Sequence, residues 1–123
     1  MHIVLGALLL AHGAAHLVGF LVPWRLLEAE DTPYVTTILA GRVDVGGVGI
    51  RVVGILWLAA AIAFGVNAVA VWLDTPRALQ FTVGLAVASL VLCALGWPAA
   101  KIGVPVNLAI LTLLGLDRLF GWL

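Results

Sequence analysis

Four stretches of the sequence, about residues 2–22, 50–73, 78–96 and 103–120, are almost free of charged side chains. A hydrocarbon core about 30 Å thick is crossed by roughly 20 apolar residues rising 1.5 Å each. Each stretch is long enough to make that crossing. In lipid every backbone polar group must be satisfied internally, which leaves helices or closed barrels, and the ten-residue alternation of a barrel strand is absent. The fold class expected is therefore all-α, a bundle of four transmembrane helices forming a single membrane domain over 1–123. Composition agrees: 64% of the residues are hydrophobic and 10% charged, against roughly a quarter charged in ordinary soluble domains.

Local signals close the stretches. Pro23, Trp24 and Arg25 follow the first. Asp74-Thr75-Pro76-Arg77 ends the second and begins the third, Trp97-Pro98 ends the third, and Gly103-Val104-Pro105 opens the fourth with a proline suited to a first helical turn. Trp24, Trp72, Trp97 and Trp122 each stand at the C-terminal end of one stretch. Because consecutive helices alternate in direction, these indoles form belts at both interfaces. Trp57 alone lies inside a stretch. The first stretch has no basic n-region and too long an apolar run for a cleaved signal peptide, so it reads as a retained helix. One connection is long, 24–49. It contains Glu28, Glu30, Asp31, Arg42 and Asp44, and ends in Val45-Gly46-Gly47-Val48-Gly49. It reads as a solvated loop, with an amphipathic piece over 33–39 as the other choice and glycines that permit a sharp re-entry. Arg25, Arg42, Arg51 and Lys101 fall on one side of the membrane, Arg77 and Arg118 on the other, so the positive-inside rule puts the long loop in the cytoplasm and the termini outside.

The charges also restrict partners. Six basic residues balance six acidic ones, leaving no basic excess to neutralise nucleic-acid phosphates. Cys93 is the single cysteine, which rules out an internal disulfide and a cysteine-rich metal site. The partners expected are the lipid bilayer, and either a second copy of the chain or a larger membrane complex.

Small residues recur at helical spacing on three stretches: Ala7, Ala11, Ala15 and Gly19; Gly54, Ala61, Gly65 and Ala68; Thr82, Ala86, Ser89, Cys93 and Gly96. Each is read as a face turned to the bundle, where small side chains let backbones approach. His12 and His16, four residues apart, project from one side of the first helix. His12 falls near the midplane, a depth at which an ionisable group needs a partner or water. Counting from each helix centre places His16, Trp57, Ser89 and Asn107 roughly 4–7 Å from the midplane on the Lys101 side. The expectation is a polar layer of His12, His16, Trp57, Ser89 and Asn107, with Arg51 and Lys101 forming a basic mouth that favours an anionic headgroup. Such a layer serves either as a ligand pocket or as a structural hydrogen-bond layer.

Three segments resemble landmarks of a loose group of small bacterial four-helix membrane proteins. They are His12-Gly13-Ala14-Ala15-His16-Leu17-Val18-Gly19-Phe20, Gly54-Ile55-Leu56-Trp57-Leu58-Ala59-Ala60 and Lys101-Ile102-Gly103-Val104-Pro105-Val106-Asn107. They correspond to H-G-x-x-H-L-x-G-F, G-x-L-W-L and K-x-G-x-x-x-N. The resemblance implies a bacterial inner-membrane protein in which His12, His16, Trp57, Lys101 and Asn107 belong together, and it implies no catalytic role.

Other chemistry is scarce. No G-x-S-x-G, Ser/His/Asp set, phosphate loop or Cys-x-x-Cys occurs, and every Asp and Glu lies outside the hydrophobic cores. A metal held by His12 and His16 needs a third ligand, for which Cys93 is the soft candidate. Haem with His12 or His16 as an axial ligand is a further option, but rings four apart on one helix cannot take opposite faces of one porphyrin, so bis-His ligation requires a dimer. Three function classes follow: a non-enzymatic ligand-binding or accessory membrane subunit, a His-dependent haem or metal redox protein, and an oligomeric small transporter. In length and helix number the third is similar to small multidrug exporters, which need a first-helix carboxylate that is missing here.

Overall fold

The computed structural model describes all residues, Met1–Leu123. In chain order the elements are α1 (His2–His16), α2 (Val18–Leu21), β1 (Thr37–Ile38), β2 (Val43–Asp44), α3 (Gly46–Trp72), α4 (Ala78–Leu95) and α5 (Gly103–Phe120). α1 and α2 make up one span, so four helical spans, His2–Leu21, Gly46–Trp72, Ala78–Leu95 and Gly103–Phe120, are long and apolar enough to cross a membrane. The protein is thus an all-helical, multi-pass membrane bundle. The 27 residues of α3 rise about 40 Å, more than the hydrocarbon core, so this helix tilts or projects beyond it.

The division between α1 and α2 has a local cause. The His16 ring donates from Nδ1 to the His12 carbonyl at 2.7 Å, inserting a side chain into the helical ladder. The next residue tightens the turn, with Leu17 N bonded to Ala14 O at 3.1 Å. Side-chain insertion of this kind is a recognised origin of helix irregularity.

Two tryptophans tie the span ends together. Trp24 Nε1 donates to the Arg51 carbonyl at 3.0 Å, and Trp72 Nε1 to the Ile3 carbonyl at 3.1 Å. The first span and α3 therefore run antiparallel, with one indole pinning each end. Between those pins the seam is built on glycines, two under tryptophan rings and one against the α3 backbone. A Cβ at Gly6 would collide with the Trp72 indole, one at Gly13 would lie 2.8 Å from Phe64 Cβ and 3.1 Å from Ala61 O, and one at Gly19 would enter the Trp57 ring. Trp57, Phe64 and Trp72 recur every seven or eight residues on α3, and Gly6, Gly13 and Gly19 every six or seven on the first span.

This seam corrects the expected α1 face. Ala7, Ala11 and Ala15 are exposed, while Leu5, Gly6, Leu9, His12, Gly13 and His16 are buried. The Trp72 and Trp57 rings need glycine notches at Gly6 and Gly19, and Gly13 admits the α3 backbone; of the expected stripe only Gly19 takes such a place. The expected faces of α3 and α4 do turn inward: Gly54, Ala61 and Ala68 are buried, as are Thr82, Ala86, Ser89 and Cys93.

The long connection differs from a plain loop. β1 and β2 pair antiparallel, Thr37 with Asp44 and Ile38 with Val43, where an amphipathic piece over 33–39 was the other reading. At its turn, Leu39 N and Ala40 N donate to Leu95 O at 3.0 Å and Trp97 O at 3.2 Å. These bonds satisfy carbonyls that the C-terminal end of a helix otherwise leaves unpaired. α3 also starts four residues before the expected position 50. Gly46 takes φ +72°, which glycine alone adopts freely, and its N–H donates to Asp44 Oδ1 at 2.9 Å.

Apolar packing concentrates at the Trp72 end. Leu5, Leu9, Phe64, Ala68, Val71, Ala78, Ala86, Ile110 and Leu114 form one buried cluster. Towards Lys101 the apolar cluster shrinks to Trp57, Leu92 and Cys93, and polar groups occupy the interior.

Candidate functional site

The interior polar residues come from three helices. α1 supplies His12 and His16, α4 supplies Ser89, and α5 supplies Asn107. All four are buried, Ser89 and Asn107 completely. His12 Nε2 lies 3.1 Å from Asn107 Oδ1, Asn107 Nδ2 lies 2.8 Å from Ser89 Oγ, and Ser89 Oγ lies 2.7 Å from His16 Nε2. His16 Nδ1 closes the path on the His12 carbonyl at 2.7 Å.

Donor chemistry assigns a direction to each step. Asn107 Nδ2 also donates to the Gly103 carbonyl at 2.9 Å, which fixes the amide orientation and makes Oδ1 the acceptor. His12 therefore carries its proton on Nε2. The His12 carbonyl can only accept, so His16 carries its proton on Nδ1 and receives the Ser89 hydroxyl proton at Nε2. The bonds run one way around a ring, from the His12 imidazole through Asn107, Ser89 and His16 back to the His12 backbone. Bonds aligned in this manner polarise one another. Of the four imidazole nitrogens of His12 and His16, only His12 Nδ1 makes no hydrogen bond.

α3 provides the walls. The two imidazoles meet edge to face with centroids 4.6 Å apart. Phe64 lies 5.1 Å from each of them, and Trp57 lies 5.1 Å from His16. The offset and tilted geometries suit aromatic quadrupoles. Phe64 was not among the expected residues, although it follows Trp57 by seven positions on the same helical face, a periodicity the sequence does show. A second buried polar pair was also missed: Asn67 Nδ2 donates to Thr82 Oγ1 at 2.7 Å, and Thr82 donates to the Ala78 carbonyl at 3.0 Å. An asparagine inside an apolar span was its signal.

Of the expected site, His12, His16, Trp57, Ser89 and Asn107 come together, and Arg51 and Lys101 do not join them. Arg51 is exposed and places its guanidinium 5.7 Å from the Trp24 ring centroid. Lys101 is exposed and unpaired. Basic side chains at helix ends extend towards water, which carries both away from the layer. Nor does the candidate metal set assemble. No group of three His, Cys, Asp or Glu side chains is placed to hold a metal ion. Cys93 lies beside Asn107, its Sγ 3.9 Å from Nδ2, and both His16 nitrogens are already bonded.

Ser89 and His16 have the hydrogen bond of a nucleophile and its base, a pairing no sequence motif announces. The hydroxyl is fully buried, however, and also accepts from Asn107, so it is not presented to a substrate. Fold and site together define a four-span helical membrane bundle with a self-contained polar layer. No protein-family model, no curated protein and no solved structure matches the chain.

Proposed function

We propose that this is a non-enzymatic accessory subunit of the bacterial inner membrane, in which the His12–Asn107–Ser89–His16 ring fixes helix register instead of binding a ligand. The observation that carries the reading is closure. Every side-chain donor in the ring meets an acceptor within it or on adjacent backbone, so no bound molecule is required to satisfy it. Directional bonds of this kind specify which helices meet and at what height, a role attested for buried polar groups elsewhere. Membrane location is supported by four apolar helical spans, and the bacterial inner membrane by the resemblance of the His12, Trp57 and Asn107 segments. An accessory role is supported by α5, the least buried span, where only Asn107, Ile110 and Leu114 are buried. The remainder of that helix offers a surface to lipid, to a second copy or to a larger complex.

The test is a His12→Ala, His16→Ala double variant compared with native protein in detergent. The expected outcome is a colourless native preparation free of bound metal and a double variant that unfolds far more readily. A Soret band, stoichiometric metal in the native protein, or a double variant as stable as the native chain would overturn the reading.

A further inference from the structure

Outside the polar ring, the long connection leaves a charged cleft. Val22, Arg25, Leu27, Glu28 and Tyr34 line a cavity of about 280 Å³. A second cavity of about 240 Å³ shares Val22, Leu27, Glu28 and Tyr34 with it, so the two form one continuous recess. Val22 is buried and supplies an apolar floor. The rim carries one positive and one negative side chain.

These charges do not neutralise each other. The Arg25 guanidinium stacks 4.2 Å from the Tyr34 ring centroid, an arrangement that orients it without consuming its charge. Arg25 and Glu28 form no ion pair; the one such approach in the molecule is His2 to Asp74 at 3.5 Å. The backbone at Arg25 takes φ +55°, a left-handed conformation that is unfavourable for arginine and recurs at ligand clamps. The cleft also has a defined height. Arg25 directly follows Trp24, whose bond to the Arg51 carbonyl marks the end of the first span, and Leu26 and Leu27 add exposed apolar surface beside it.

We infer that this cleft binds the phosphate–ammonium headgroup of a zwitterionic phospholipid, with the phosphate at Arg25 and the ammonium at Glu28. A purely anionic headgroup would meet the Glu28 carboxylate, and a purely cationic ligand would meet Arg25. A zwitterion satisfies both groups at once, and the interfacial height with its leucine surface favours a lipid over a soluble molecule.

The experiment uses the full chain purified in detergent, exposed to equal amounts of phosphatidylethanolamine and phosphatidylglycerol, with bound lipid counted by native mass spectrometry. Phosphatidylethanolamine is expected to be retained about threefold over phosphatidylglycerol, the scale of an exposed charge interaction. Arg25→Gln is expected to weaken retention of both lipids, and Glu28→Gln to abolish the preference. Glu28 is exposed and makes no hydrogen bond, so its variant reads the site even where Arg25→Gln impairs folding. Equal retention of the two lipids, or a preference unchanged by Glu28→Gln, overturns the inference. A third arm adds soluble O-phosphoethanolamine in equal concentration: failure to displace the lipid is expected, and displacement overturns the lipid as the ligand's source.

Discussion

The two halves of the bundle are held together differently. Towards Trp72 the interior is Leu5, Leu9, Phe64, Val71, Ile110 and Leu114, crossed by the single Asn67–Thr82 side-chain bond between α3 and α4. Towards Lys101 a ring of hydrogen bonds links α1, α4 and α5, with the aromatic side chains of α3 against it. Lipid tails are as apolar as leucine, so apolar contact between helices in a bilayer does not by itself choose a partner or a height. Hydrogen bonds do choose, because a shift of one residue leaves them unmade. The polar half therefore sets the register, and the apolar half fills the space that the register leaves.

The polar half is most vulnerable at Asn107. Asn107→Leu removes the acceptor of His12 and the donor to Ser89 while keeping the residue's bulk. The His12 Nε2–H is orphaned, which costs about 1–3 kcal/mol, while Ser89 keeps its bond to His16 and loses only an interhelical bond worth about 0.6 kcal/mol, so a loss of about 2–3 kcal/mol is expected in reversible unfolding in mixed micelles. A loss no greater than that of the equivalent change at Asn67 would show that the halves do not differ.

Next in size is the glycine seam, which runs through both halves. Gly13→Ala places a methyl group 2.8 Å from Phe64 Cβ and 3.1 Å from the Ala61 carbonyl, atoms fixed to the α3 backbone. Overpacking of this type costs about 1–3 kcal/mol. Gly84→Ala meets nothing within 4 Å and is expected to leave stability unchanged or slightly raised, since alanine is the better helix former. Equal stability of the two variants in the same micelle assay would show that the glycine seam does not hold the first span against α3.

Much of this architecture can be read in the sequence because helical rise is constant. Run length placed the span ends at Leu21, Trp72 and Leu95 to within one residue, and counting along each helix brought His16, Trp57, Ser89 and Asn107 to one depth. Azimuth is harder to read. The Ala7, Ala11 and Ala15 stripe has the right spacing for a packing face, yet the buried face is set by where Trp57 and Trp72 need room and where the α3 backbone comes close at Gly13, which the first span's own sequence does not contain. The start of α3 was obscured because glycines signal turns; here Gly46 both turns the chain and begins the helix, with Asp44 accepting its N–H. Arg51 and Lys101 share the layer's side of the membrane but have side chains long enough to leave it.

A smaller effect sharpens the contrast from the apolar side. Asn67→Leu removes one interhelical bond, and Thr82 keeps its bond to the Ala78 carbonyl, so no hydroxyl is orphaned. Interhelical bonds in membranes average about 0.6 kcal/mol, and that is the loss expected in the same assay. A cost approaching that of Asn107→Leu would mean that a lone bond specifies as strongly as a ring.

The smallest effect lies outside the membrane, at the hairpin that joins the halves' shared helix α3. The Gly46 N–H, first, and the Thr36 hydroxyl, second, hold the Asp44 carboxyl below the usual carboxylate range. A lowered folded-state pKa means that the carboxylate's contribution is present above the ordinary pKa and is lost as pH falls through the lowered one. Strong acid should therefore lower the protection of the Gly46 amide relative to its intrinsic exchange at the same pH, and Asp44→Asn should flatten that dependence, with little effect on global unfolding because Asp44 is exposed. Amides around Ser89 and Asn107 should not follow, because their ring shares no group with Asp44. Should both sets respond at one pH, the hairpin and the ring would be a single cooperative unit, and the register would depend on the long connection as well as on the helices.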